Sequence, residues 1–144
     1  REQRCGEVFL TPVDVVLDAS RRTGVQPDVV YVSERQARRL LQRRGIFGAP
    51  DLLVEVLSPT SMSRDEVRKM ALYEQAGVAE YWVLDPLRRE GRVYALAETV
   101  RNGSASRGGR YALFDSADLS REPQARLQSR VLPDWSIELG RLFL

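Results

Sequence analysis

The sequence predicts a mixed β-sheet flanked by helices, in the α/β class on the border of α+β. Three observations carry that expectation. Val29-Val30-Tyr31-Val32 and Asp51 to Leu57 are strand-length runs of β-branched, aromatic and aliphatic residues. Helical spacing over Asp65 to Ala76 follows the second run and leads to a third, Tyr81 to Leu84. Strands joined through a helix run parallel, whereas shorter connections favour antiparallel pairing, so one sheet holds both senses.

In chain order, Val13 to Leu17 is apolar apart from Asp14 and reads as a strand. Pro27-Asp28 opens the Val29–Val32 strand. Ser33 is a suitable N-cap for a short Arg-rich helix over Glu34 to Arg44, which stops at Gly45. Gly45 to Pro50 is punctuated by glycine and proline and reads as a loop. Asp51 to Leu57 is nearly continuous in apolar residues, as a buried central strand requires. Pro59 ends it, and Ser63 with Glu66 has capping-box spacing for the Asp65–Ala76 helix. Gly77 suits the helix stop. Asp85-Pro86 closes the Tyr81–Leu84 strand. Arg92 to Thr99 alternates as a strand, Arg101 to Gly109 is a Gly/Ser/Arg loop, and Tyr111 to Phe114 returns. Leu127 to Leu132 and Ile137 to Phe143 complete the fold, the latter as a strand or short helix.

Residues 1–144 form one domain, long enough for a substantial core. A net charge of +2 means that any nucleic-acid binding must come from local basic patches. There is no histidine, which removes histidine bases and nearly all zinc chemistry. The single cysteine, Cys5, excludes an intrachain disulfide and suits a reducing, cytoplasmic setting. No membrane span is expected. A metal site would be built from carboxylates and would favour Mg²⁺ or Mn²⁺.

Two residues are out of place by composition. Of 22 basic side chains only Lys69 is a lysine. Its ammonium is a compact charge that arginine does not reproduce, although an Arg-biased composition could also leave one lysine by chance. Glu55 sits in the most apolar strand, where a carboxylate needs a partner or a metal. Alternation puts Asp51, Leu53, Glu55 and Leu57 on one face, with Asp51 about 13 Å from Glu55. If the strands starting at Asp28 and Asp51 pair antiparallel, Asp28 comes to rest near Glu55. Otherwise Asp28 is an ordinary turn residue after proline. Asp65, Lys69 and Tyr73 recur every four residues and share one side of their helix, where Asp65 and Lys69 could equally form a surface ion pair.

The stretch from Ala49 through Glu55 to Thr60, with Arg64-Asp65, Lys69, Leu72-Tyr73, Gly77-Val78, Glu80-Tyr81-Trp82 and Asp85-Pro86, resembles the signature of the Uma-two family. That family lies within the PD-(D/E)xK, restriction-endonuclease-like superfamily. The resemblance extends upstream through Val25 to Val30 and covers roughly residues 5–100. It implies a restriction-endonuclease-like mixed central sheet and a divalent-metal nuclease site using Mg²⁺ or Mn²⁺. Pro27-Asp28 matches the PD element. Glu55-Val56-Leu57 matches the second element with leucine in place of lysine, and Lys69 matches the position to which this family has moved it. Asp28, Glu55 and Lys69 are then the catalytic residues, with Asp28 and Glu55 the metal ligands. Apart from the resemblance, Asp51, Asp65 and Tyr73, which share the strand and helix faces of Glu55 and Lys69, are candidate supporting groups. Family members usually carry a further N-terminal segment, so this chain is expected to lack one.

The expected function is metal-dependent hydrolysis of DNA phosphodiesters, with a two-fold dimer the simplest arrangement for cutting both strands. Trp135 to Leu144 is a candidate dimer contact or ordinary core. Arg35, Arg39 and Arg43, with Arg38 and Arg44 nearby, form a helical face that either contacts the DNA backbone or is simply solvated. The Arg101–Arg110 loop is a second candidate of that kind. A DNA-binding or assembly module that keeps the fold without activity is the alternative, and it would require no metal.

Overall fold

The computed structural model describes residues 6–18, 20, 22–59, 63–97, 100–101, 104–105 and 109–143. In chain order the elements are β1 (Gly6–Leu10), β2 (Val15–Asp18), β3 (Thr23–Val25), β4 (Val29–Ser33), α1 (Glu34–Leu40), β5 (Leu41–Gln42) and β6 (Gly45–Phe47). They continue with β7 (Leu52–Val56), α2 (Ser63–Ala76), β8 (Glu80–Asp85), β9 (Glu90–Ala97), β10 (Val100–Arg101), β11 (Ser104–Ala105) and β12 (Arg110–Asp118). Last come β13 (Arg126–Gln128), β14 (Ser136–Glu138) and a 3₁₀ turn at Leu139–Arg141.

The apolar runs pair into a six-stranded sheet of order β1-β4-β7-β8-β9-β12. As the helical connection predicts, β7 and β8 run parallel, with Glu55 beside Val83. The other neighbours in this sheet are antiparallel, including β4 with β7. Two helices and a mostly antiparallel mixed sheet put the fold on the α+β side of the expected border.

Alternation sends the two faces of the sheet into separate cores. On one, Tyr31, Leu52, Val54, Trp82 and Leu84 pack with Leu127 and Leu139 of the C-terminal segment. On the other, Val30, Val32, Leu53, Tyr81 and Val83 pack under Tyr73 of α2. That second face also meets Val15, Leu40 and Ile46, which belong to α1 and to a four-stranded sheet of order β3-β2-β6-β5. No helix of the described residues is long and apolar enough to cross a membrane.

Several expectations are corrected. The Arg-rich helix ends at Leu40 and not at Arg44. Leu41 and Gln42 instead pair antiparallel with Ile46 and Gly45, making a hairpin that begins inside the expected helix and ends inside the expected loop. Two-residue hairpin loops favour residues with positive φ such as Asn-Gly. Neither Arg43 nor Arg44 has one, so the usual sequence signal is absent. Gly45 carries the special geometry with φ +149°, where a Cβ would sit 2.5 Å from the Asp14 carbonyl oxygen. β1 and β3 were not anticipated. β10 and β11 occupy part of the expected Arg101–Gly109 loop, while Thr99, residues 102–103 and residues 106–108 lie outside the described residues, as does Cys5. Gly77 does stop α2, with φ +85° and its N–H donating to the Tyr73 carbonyl at 3.1 Å.

The C-terminal segment is mainly core: Leu139 is fully buried, although Trp135 and Leu142 remain 44% and 39% exposed. It is tied down by Glu80, whose side chain is fully buried. The Glu80 carboxylate accepts from Trp82 Nε1 at 2.9 Å, Ser129 Oγ at 2.6 Å, Arg130 N at 2.5 Å and Val131 N at 3.1 Å. Four donors compensate a burial that would otherwise be prohibitive. Glu80→Ala leaves those donors unmatched, at about 1–3 kcal/mol each when they stay buried. We expect a loss of about 3 kcal/mol or more in urea unfolding, with faster amide exchange over residues 126–139 before global unfolding.

Candidate active site

The β4–β7 register pairs Val29 with Val54 and Val30 with Leu53. The ladder ends there; continued by one step it sets Asp28 across from Glu55, and the Asp28 charge does act on the Glu55 carboxyl. Asp28 Oδ2 accepts the Val56 N–H at 2.7 Å, which fixes its carboxylate at the β7 terminus. Val30, Val32 and Leu53 pack on the α2 face, and alternation extends that face to Asp28 and Glu55. The two carboxylates are therefore neighbours on one face.

Glu55 is 6% exposed. Its Oε1 accepts from the buried Tyr73 hydroxyl at 2.6 Å, and its Oε2 faces Lys69 Nζ at 3.4 Å. Burial pushes the Glu55 carboxyl above its ordinary range; the Tyr73 hydrogen bond and Lys69 charge oppose that shift, and Asp28 reinforces it. Burial and the Glu55 charge raise the Tyr73 phenol far above its ordinary value, so it remains a donor. Lys69 also lies 3.6 Å from Asp65. An Arg68 hydrogen bond holds the Asp65 carboxyl below its ordinary range.

Asp51 is not part of this group. Its Oδ2 accepts the Ser33 N–H at 2.7 Å, at the opposite end of β7 from Glu55. Ser33 occupies the N-cap position of α1 but makes no side-chain cap bond. Glu66, expected in a capping box, instead accepts from Arg92 Nη2 at 2.7 Å, and the Ser63 side chain lies outside the described residues. Sequence reasoning missed this pair, whose members are 26 residues apart. Arg92 shares the cross-strand row of Glu55 through Val83. The Tyr73–Glu55 and Glu66–Arg92 contacts thus fasten α2 to β7 and β9, holding Lys69 over the sheet.

The expected arginine face is divided. Arg35 and Arg38 are exposed on α1, and Arg39 donates to Gln36 at 2.6 Å. Arg43 is not helical; it occupies the β5–β6 turn with Arg44.

Among the described residues no cluster of three or more His, Cys, Asp or Glu could hold a metal. The donor set is the Asp28–Glu55 pair, which suits a hard cation completing its shell with water and phosphate oxygens. Among the described residues Lys69 is the one cationic group acting on Glu55, and two carboxylates so close together favour a shared cation. A cleft of about 700 Å³ opens at the C-terminal ends of β7 and β8, lined by Leu57, Ser58, Pro59, Glu66, Asp85 and Arg92 among others; Asp28, Glu55 and Lys69 do not line it.

Glu55 also predicts a pH effect in metal-free protein. A carboxyl raised in the folded state binds more protons there than in the unfolded chain, so stability falls as pH rises from its ordinary value through its folded one. Glu55→Gln keeps an acceptor for Tyr73 and cannot ionise. In EDTA, we expect its thermal midpoint to exceed the parent's at neutral pH and the difference to disappear in acid, as read by calorimetry across pH.

The family model described as Uma2, "Putative restriction endonuclease", matches residues 1–139. A solved structure from Anabaena variabilis, titled as a "putative nuclease belonging to DUF820", superposes with TM-score 0.67 at 18% identity, covering 99% of this chain and 70% of that one. At that identity the likeness establishes the fold. No curated protein matches the sequence. With its sheet, opposed carboxylates and helix-borne lysine described, and the family match spanning nearly its whole length, the chain belongs to the Uma2 restriction-endonuclease family.

Proposed function

We propose that the protein is a divalent-metal-dependent endonuclease acting on DNA, with Mg²⁺ or Mn²⁺ held by Asp28 and Glu55 and with Lys69 as the third catalytic residue. The observation that carries this reading is the buried Glu55 with Lys69 Nζ 3.4 Å away and the Asp28 carboxylate close enough for its charge to act on it. Family membership supports nuclease chemistry. The cleft at the carboxyl ends of the parallel strands supports a substrate position, since ligands of sheets with parallel strands gather there.

When bound, the metal would polarise the scissile phosphate and lower the pKa of a water. Tyr73 holds Glu55 Oε1, leaving Oε2 on the Lys69 side. Asp28 Oδ2 takes the Val56 N–H, which holds its carboxylate at the end of β7. The Lys69 ammonium sits where it orients a nucleophilic water or neutralises charge developing on the phosphate. Asp65 steers Lys69 from the same helix. The reading places the protein in the cytoplasm as a two-fold dimer, the arrangement suited to cutting both strands of a duplex.

Calorimetric titration with Mn²⁺ and cleavage of supercoiled plasmid test the assignment together. Asp28→Asn should abolish metal binding. Lys69→Ala should leave folding and Mn²⁺ binding nearly intact while cleavage falls by about 10²–10³-fold. Lys69→Arg should restore little of it. Parental cleavage by Lys69→Arg, or unchanged Mn²⁺ affinity in Asp28→Asn, defeats the mechanism. Light scattering at high concentration should report a dimer; a monomer removes that part of the reading.

A further inference from the structure

We infer that the β5–β6 hairpin is a phosphate-backbone clamp for DNA, using Arg43 and Arg44 at its tip to hold the duplex beside the Asp28–Glu55 pair. The inference rests on the nuclease reading and deepens it by assigning the surface that holds the substrate. Three observations carry it.

The first is position. β6 runs parallel to β2, with Ile46 beside Val15, so the turn preceding Gly45 lies next to Asp14. Ile46 N donates to the Asp14 carbonyl at 2.8 Å. The Asp14 carboxylate accepts from Gln26 Nε2 at 2.6 Å, and Gln26 is two residues before Asp28. Thr11, three residues before Asp14, donates its N–H to the Asp28 carbonyl at 3.1 Å. The Arg-Arg turn is thereby fastened to the end of the molecule that carries Asp28. Asp51, α1's start and the α2 C-terminus gather at the other end of β4 and β7.

The second is residue type. Tight two-residue loops favour glycine, asparagine or aspartate for backbone reasons. Neither arginine has positive φ, and Gly45 supplies the unusual geometry. Two adjacent arginines are therefore not explained by the turn itself.

The third is their lack of engagement. Arg39, Arg68, Arg88, Arg92, Arg121, Arg126, Arg130 and Arg141 each have an acceptor or an acidic partner. Arg43 and Arg44 are exposed and, like Arg22, Arg35, Arg38, Arg89 and Arg110, make no ion pair or side-chain hydrogen bond among the described residues; of these, Arg43 and Arg44 are the adjacent pair at the tip of a hairpin. Their guanidinium groups remain available for bidentate contact with phosphate oxygens. Such contacts position a duplex without reading its sequence.

The test is fluorescence anisotropy with a labelled DNA duplex of mixed sequence, in Ca²⁺ to suppress cleavage, over a range of KCl concentrations. Each neutralised phosphate contributes about 0.9 to the slope of log affinity against log salt. Arg43→Ala/Arg44→Ala should reduce that slope by about 1.8 and weaken binding at low salt at least tenfold. Arg43→Lys/Arg44→Lys keeps both charges and should preserve the slope. Arg126→Ala/Arg141→Ala removes the same charge from the C-terminal segment on the other sheet face and should leave the slope unchanged. Parental slope in the Arg43→Ala/Arg44→Ala protein overturns the clamp while the nuclease reading stands. An equal slope loss in the Arg126→Ala/Arg141→Ala protein also overturns it, because net charge alone would then govern binding. No binding by the parent removes the DNA reading and the clamp with it.

Discussion

Glu55 is an ionisable group in the middle of an apolar strand, and the arrangement around it follows from the need to satisfy that group. A buried carboxylate without partners is too costly to keep. The nearest source of donors is the helix that follows its own strand. Tyr73 reaches it from one turn and Lys69 from the turn before. These contacts set the rotation of α2 about its axis, because only one side of the helix can face Glu55. Once that side is chosen, Glu66 faces Arg92 of β9, and the helix has a second point of attachment. Its placement is thus specified by polar contacts in addition to the apolar packing of Tyr73 with Tyr81, whose rings lie 5.0 Å apart.

Glu80 meets the same physical demand and resolves it differently. It lies on the opposite sheet face, where four neutral donors surround it and two come from the backbone of the C-terminal segment. That carboxylate serves as a structural anchor. Glu55 instead keeps an oxygen beside a lysine, with a second carboxylate close enough for its charge to act on it. Two buried glutamates of one sheet are distinguished by what partners them: four neutral donors on Glu80, a phenol and an ammonium on Glu55.

The central elements were legible because their signals are long and coherent. The β4 and β7 runs, the α2 periodicity and the parallel sense of β7 and β8 follow directly from residue type and spacing. So does the meeting of Asp28 with Glu55, since alternation and antiparallel pairing leave few other registers. The β5–β6 hairpin was not legible. Its residues favour a helix locally, and its turn lacks the usual positive-φ pair; packing of Leu40 and Ile46 against the main sheet overrides the local preference. The separation of Asp51 from Glu55 along β7 was legible from the strand rise, whereas its bond to the Ser33 N–H joins residues 18 apart and has no local signal. The Glu66–Arg92 pair and the Glu80 anchor join residues far apart in sequence, and no local pattern announces them.

The β4–β7 ladder has a consequence beyond stability. Side chains alternate with a period of two, so a slip of one residue would carry Asp28 to the face occupied by Trp82 and Leu139. Glu55 would remain under α2 with its tyrosine and its lysine, but without its counterpart. Registration of two strands and creation of the paired-carboxylate site are consequently a single event. A misregistered chain could retain much of its secondary structure and have no place for an ion. Conversely, an ion shared by the two carboxylates would act as a proofreader of strand alignment, favouring the one register that brings both to the same side.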